Sequence, residues 1–107
     1  MIDWTRVEEL KQEVGEDDFS EVVDLFLEEV EETITRLKQT PDLSQLEEDM
    51  HFLKGSALNL GFEQFSTLCQ AGETAAAAGG AETINLPEIF TSYDGSKAEF
   101  LKGGPGT

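Results

Sequence analysis

A chain of 107 residues holds one domain with a modest core, too little for a catalytic domain plus a separate substrate domain. Its 23 acids against 7 bases give a formal net charge of −16, which excludes nucleic acid and anionic membrane surfaces as partners, because both are held through Lys and Arg. One cysteine, Cys69, and one histidine, His51, exclude an internal disulfide and a Cys/His zinc site; with no signal-peptide pattern and no long apolar run, a soluble, cytoplasmic protein is expected.

Hydrophobic spacing is helical almost throughout. Asp3 can cap a short first helix with the apolar face Trp4, Val7, Leu10 and Val14, stopped at Gly15. Asp17 or Asp18 then opens a long second helix carrying Phe19, Val22, Val23, Phe26, Leu27, Val30, Ile34 and Leu37. The turn Thr40-Pro41-Asp42 ends it, and Asp42 or Ser44 caps the third, whose seam is Leu46, Met50, Leu53, Ala57 and Leu60. Gly61 breaks the third helix. A fourth runs from Phe62 through Phe65, Leu68, Cys69 and Gly72 to the alanines Ala75 to Ala78, stopped by Gly79-Gly80. The fifth starts near Asn85-Leu86-Pro87 and carries Ile89, Phe90, Tyr93, Phe100 and Leu101, with Gly95 interrupting the pattern.

Four substantial amphipathic helices joined by short loops predict an all-α fold, an antiparallel up-down four-helix bundle with a short additional N-terminal helix. The domain spans residues 1–102. Residues 103–107, GGPGT, have nothing to bury and are expected to form a disordered tail.

At 100° per residue the seam of the third helix covers an arc of about 80°, and His51 stands about 135° from its centre, so the ring faces outward or lies at the bundle margin. Lys54 occupies the shoulder between His51 and the core, Gly55 lies on the far side of His51, and Leu58 returns almost beneath it. A mid-helix glycine costs roughly 1 kcal/mol relative to Ala, so Gly55 calls for a reason such as close approach by a partner. Residues 50–62 contain no Asp or Glu, although the first fifty hold 17 acids and 4 bases.

The stretch HFLKGSALNLG, residues 51–61, resembles the hallmark H-x-L-K-G-S-x-x-x-L-G of the histidine-containing phosphotransfer (HPt) domain family. His51, Leu53, Lys54, Gly55, Ser56, Leu60 and Gly61 match, and FEQFSTLCQAGE is similar to the family's next helix. The resemblance implies that His51 accepts a phosphoryl group and relays it between aspartates of response-regulator receiver domains in a multistep phosphorelay, in the bacterial two-component manner. It implies that Lys54 stabilises phosphoryl oxygens and that Gly55 leaves room for the receiver. Receivers and an upstream hybrid sensor histidine kinase are the implied partners; Mg²⁺ comes with the receiver, and the domain needs no cofactor. A free imidazole, with a reference pKa of ~6.5, keeps a lone pair for attack near neutrality. A loose phosphoryl-transfer transition state then asks mainly for alignment and a cation.

Met50 stands where family members often have Ala, and on the seam it reads as core filler. Gln70 and Glu73 are candidates to hold the His51 ring through its other nitrogen, with packing or solvent exposure as the alternative. Leu58 and Phe62 fall on the histidine side as docking candidates, although Phe62 can equally cap the bundle. Phe52, about 100° from His51, belongs either to the docking surface or to a contact with a neighbouring helix. Ser56 faces away from Lys54 and is not assigned to phosphate, and Cys69 reads as core.

Three other functions compete with this one. A histidine kinase is disfavoured by Phe52 and Ser56, where its dimerisation helix carries an acid and a proline, and by the lack of a phosphate-binding loop, so a phosphocarrier without ATP-dependent kinase activity is expected. A hydrolase has no recognisable nucleophile, base and orienting group. A helical adaptor that binds a receiver or another signalling protein without chemistry is the main alternative, and retention of both His51 and Lys54 speaks against it.

Overall fold

In the computed structural model, which describes residues 2–103, the helical stripes fold as α1 (Trp4–Val14), α2 (Glu16–Gln39), α3 (Leu46–Leu60), α4 (Glu63–Ala77) and α5 (Leu86–Leu101). Short 3₁₀ turns at Leu43–Gln45 and Ala81–Thr83 lead into α3 and α5, and neither was apparent in the periodicity. At 1.5 Å per residue the 24 residues of α2 span about 36 Å, which sets the long axis of a molecule measuring 41 × 21 × 20 Å. No helix among the described residues is long and apolar enough to cross a membrane.

The helix ends follow local chemistry. The Asp3 carboxylate accepts the Arg6 N–H at 3.2 Å, and the Asn85 carbonyl oxygen accepts the Glu88 N–H at 3.1 Å with Pro87 in the first turn. Gly15, at φ +89°, is the joint between α1 and α2. Asp17 and Asp18, expected to open α2, instead lie inside its first turn with Glu16; there their charges meet the positive end of the helix dipole. Asp42 accepts from the Ser44 N–H at 3.0 Å and its hydroxyl at 2.6 Å, and so caps the 3₁₀ turn, not α3. Phe62 precedes α4 as its N-cap position and lies outside the helix proper.

The core is made by Val23, Leu27, Val30, Ile34 and Leu37 of α2, the whole predicted seam of α3, Phe65 and Cys69 of α4, and Ile89 and Tyr93 of α5. Burial pushes the Cys69 thiol up to about 12, so it serves as packing and not as a nucleophile. Leu101, expected on the apolar face of α5, is 63 % exposed because it sits on the last turn, past the end of the core. Gly103 follows as a closing turn, its N–H donating to the Phe100 carbonyl at 3.0 Å; the rest of the expected tail, residues 104–107, lies outside the described residues.

Helices α2 to α5 form the bundle in chain order, with α3 against α4 the most extensive contact, and α1 packs across α2 and α3. The α3–α4 corner is held from outside. Gly61 adopts φ +75°, its carbonyl accepts the Asp3 N–H at 2.7 Å, and Ile2 bridges Phe62 in antiparallel fashion. A Cβ on residue 61 would stand 2.6 Å from the Asp3 carbonyl oxygen. Gly61→Ala therefore combines left-handed strain with a backbone clash and is expected to cost about 2 kcal/mol or more. Thermal unfolding should register this as a fall of roughly 10 °C in Tm; an unchanged Tm would show that the N-terminal segment does not clamp the corner.

Candidate functional site

The site grows out of one close approach. Met50 is fully buried, and its sulfur lies 2.9 Å from the point where a Cβ on Gly72 would be, so the bulk of one residue requires the absence of a side chain at the other. Met50 and Gly72 are the chain neighbours of His51 and Glu73. Interlocking the first pair places the second side by side across the α3/α4 seam.

His51 Nδ1 and Glu73 Oε2 are 2.9 Å apart, and the histidine side chain is 69 % exposed. A carboxylate only accepts, so this bond places a proton on Nδ1, and in the neutral ring the lone pair is then on Nε2, across the ring. The other Glu73 oxygen, Oε1, accepts from Lys54 Nζ at 2.6 Å, and Lys54 also donates to Gln70 Oε1 at 3.1 Å. The Lys54 ammonium, followed by the hydrogen bond from His51, holds the Glu73 carboxyl below the usual glutamate range, against the opposing pull of desolvation. One carboxylate thus orients an exposed imidazole ring and holds a cation beside it.

The two orienting candidates separate here. Glu73 reaches His51; Gln70 does not, its amide serving Lys54 and, through Nε2, the Thr74 hydroxyl at 3.2 Å. Spacing along α4 could not distinguish them, since residues three apart share a face. Gly72, which makes the approach possible, falls within the α4 stripe by spacing, and a glycine on that stripe is the signal the sequence offers for it.

A Cβ at Gly55 would meet nothing within 4 Å, so the bare backbone beside His51 opens to solvent. Leu58, 56 % exposed, continues the strip below the ring. Phe52 turns the other way. It is 38 % exposed and lines a shallow hollow on the α2 side with Glu29, Glu32, Thr33 and Arg36, away from Glu73. Phe62 is a correction: at 0 % exposure it is not a docking residue, because α4 begins after it and the corner directs its ring between Tyr93 and Phe100. Ser56 is buried, consistent with its exclusion from phosphate contact. Two residues not singled out in the sequence, Arg6 and Asn59, join this face to α1: Arg6 donates to Asn59 Oδ1 at 2.9 Å, and Asn59 donates to the Gly55 carbonyl at 3.1 Å.

The family model for the Hpt domain matches residues 21–92, two thirds of the chain, from the first turns of α2 through α3 and α4 into α5. The chain belongs to the Hpt domain family. The Hpt match leaves outside α1 and, before it, Ile2 and Asp3, which clamp the α3–α4 corner. Over 99 residues the chain is 30 % identical to the phosphorelay intermediate protein YPD1 of Candida albicans, an alignment covering 88 % of this chain and 54 % of that protein. This Hpt chain therefore spans about half the length of the relative it matches, and that relative is fungal, which does not speak for the bacterial setting expected from the sequence. No solved structure matches it.

Proposed function

We propose that this Hpt domain is a phosphocarrier: His51 Nε2 takes a phosphoryl group from the aspartyl phosphate of one receiver domain and passes it to the aspartate of another in a multistep phosphorelay. The observation that carries this reading is the exposed imidazole whose Nδ1 is engaged by Glu73, with the Lys54 ammonium on the same carboxylate. The relative named as a phosphorelay intermediate supports it.

The step balances within the two proteins. The Nε2 lone pair attacks phosphorus, an N–P bond forms, and the P–O bond to the aspartate breaks with its electrons returning to the carboxylate. Glu73 holds the proton of the neutral ring on Nδ1, so the lone pair lies on Nε2 and the ring is aligned. A loose transition state spreads charge over the three equatorial phosphoryl oxygens, which Lys54 meets from one helical turn away, and the receiver supplies the Mg²⁺. The domain has no ATP-dependent kinase activity of its own in this reading. Gly55 and Leu58 form the face against which the receiver docks, with Phe52 at its far edge.

Incubation with a labelled phospho-receiver tests the proposal: acid-labile label should move to this domain and then to a second receiver. Receiver binding without transfer would favour the non-catalytic adaptor. Lys54→Ala should slow transfer by roughly ten- to a hundred-fold while receiver affinity changes far less, because its cation acts on developing charge. An equal loss in rate and affinity would remove that role. Gly55→Leu should show opposite signs in two measurements. The helix gains up to about 1 kcal/mol by losing a glycine, whereas receiver affinity falls by roughly ten-fold or more as a side chain fills the open space. Unchanged affinity would separate Gly55 from docking.

A further inference from the structure

The bundle has a second open face. Because α2, α3, α4 and α5 follow one another around the bundle, the α2/α5 seam lies opposite the α3/α4 seam that carries His51. There the helices are spanned by side chains: Tyr93 Oη donates to Glu31 at 2.7 Å, Lys97 pairs with the same carboxylate, and the Lys38 ammonium lies over the Phe90 ring. Beside this clamp runs an open trough of about 620 Å³, with Leu27 and Leu101 as its apolar lining and Asp24, Glu28, Glu32 and Thr35 along α2. Glu31 is neutralised by Lys97, but Asp24, Glu28 and Glu32 have no cationic partner among the described residues. Leu25, next to Asp24, is an exposed leucine on the same helix.

We propose that this trough docks a basic amphipathic helix of a partner protein, independently of the phosphoryl-transfer face. Its apolar residues would cover the exposed Leu101 and the edge of Leu27 that shows at the trough floor, and its Lys or Arg residues would meet the three unpaired carboxylates. The flanking walls are α-helices whose backbone groups are bonded internally, so the trough offers no edge for an extended strand; the occupant must satisfy its own backbone. Charge complementarity selects a cationic occupant, since a second copy of a chain with net charge −16 would bring acids to acids. The two faces, on opposite sides, can be occupied together.

The test is a titration of the full chain with a synthetic lysine-rich amphipathic peptide of about 18 residues with leucines at helical spacing, followed by amide chemical shifts. Binding should weaken with added salt, and the shifts should cluster at Asp24, Glu28, Glu32 and Leu101 while His51, Lys54 and Gly55 stay unmoved. Asp24→Lys combined with Glu28→Lys should weaken the peptide by roughly ten-fold or more, and Leu101→Ser should weaken it separately, with phosphotransfer from a receiver unaffected in both. Shifts spread over acids all round the molecule or centred on His51, equal binding of a glutamate-for-lysine peptide, or concentration-dependent shifts of the trough without peptide would each overturn the proposal, the last by making a second copy the occupant.

Discussion

His51→Gln should abolish phosphoryl acceptance outright, leaving label at the background of a no-acceptor control. The side chain stands largely in solvent and packs against nothing in the core, so the substitution should change stability by no more than about 0.5 kcal/mol and leave helical content intact. Glutamine keeps a polar group near Glu73, but an amide nitrogen has no free lone pair for phosphorus. The loss is therefore one of chemistry and not of shape. Receiver binding should persist, because Gly55 and Leu58 are untouched. If the variant still gained acid-labile label, the phosphoryl group would sit on another residue and the role assigned to His51 would fail.

Phe62→Ala should produce the largest loss of stability of any change beside the site, about 3–5 kcal/mol for removing a fully buried aromatic. Its ring centroid lies 5.6 Å from Phe100 and 6.1 Å from Tyr93; Phe65 lies 5.3 Å from Tyr93, and Phe100 stacks on Trp4 at 5.9 Å. This cluster ties α1, the α3–α4 corner and α5 together, so the cavity cannot close by moving one helix alone. Thermal or denaturant unfolding should show a Tm lowered by well over 10 °C. At a temperature where the variant is still folded, receiver affinity per folded molecule should match the wild type. Normal stability with weakened docking would return Phe62 to the surface.

Part of this site is legible in the sequence alone. The direction of His51 followed from counting 100° per residue away from Leu46, Met50, Leu53, Ala57 and Leu60, because a helix that must bury one stripe fixes where every other residue on it points; all five are buried and the histidine is not. Likewise Asp3, Gly15, Gly61, Gly79 and Asn85 mark helix ends through their own conformational and hydrogen-bonding chemistry, which acts over a few residues.

What depended on two helices at once was not. Glu73 and Gln70 have equal claims on His51 until the axial height and rotation of α4 are set, and those are set by Met50 seating against Gly72. The fate of Phe62 turned on whether the chain after Gly61 continued the α3 face or turned inward, a choice made by the contact of Ile2 and Asp3 with the corner from sixty residues away. Leu101 shows the same limit from the other side: its place in the α5 stripe is correct, yet on the last turn it borders an open trough beside α2 and stays exposed. The amino-acid order by itself determined which way each helix faces, because periodicity is a property of one helix. Only the tertiary structure decided which side chains meet, because that follows from how far one helix slides and turns against another, and interlocking shapes across the interface set both.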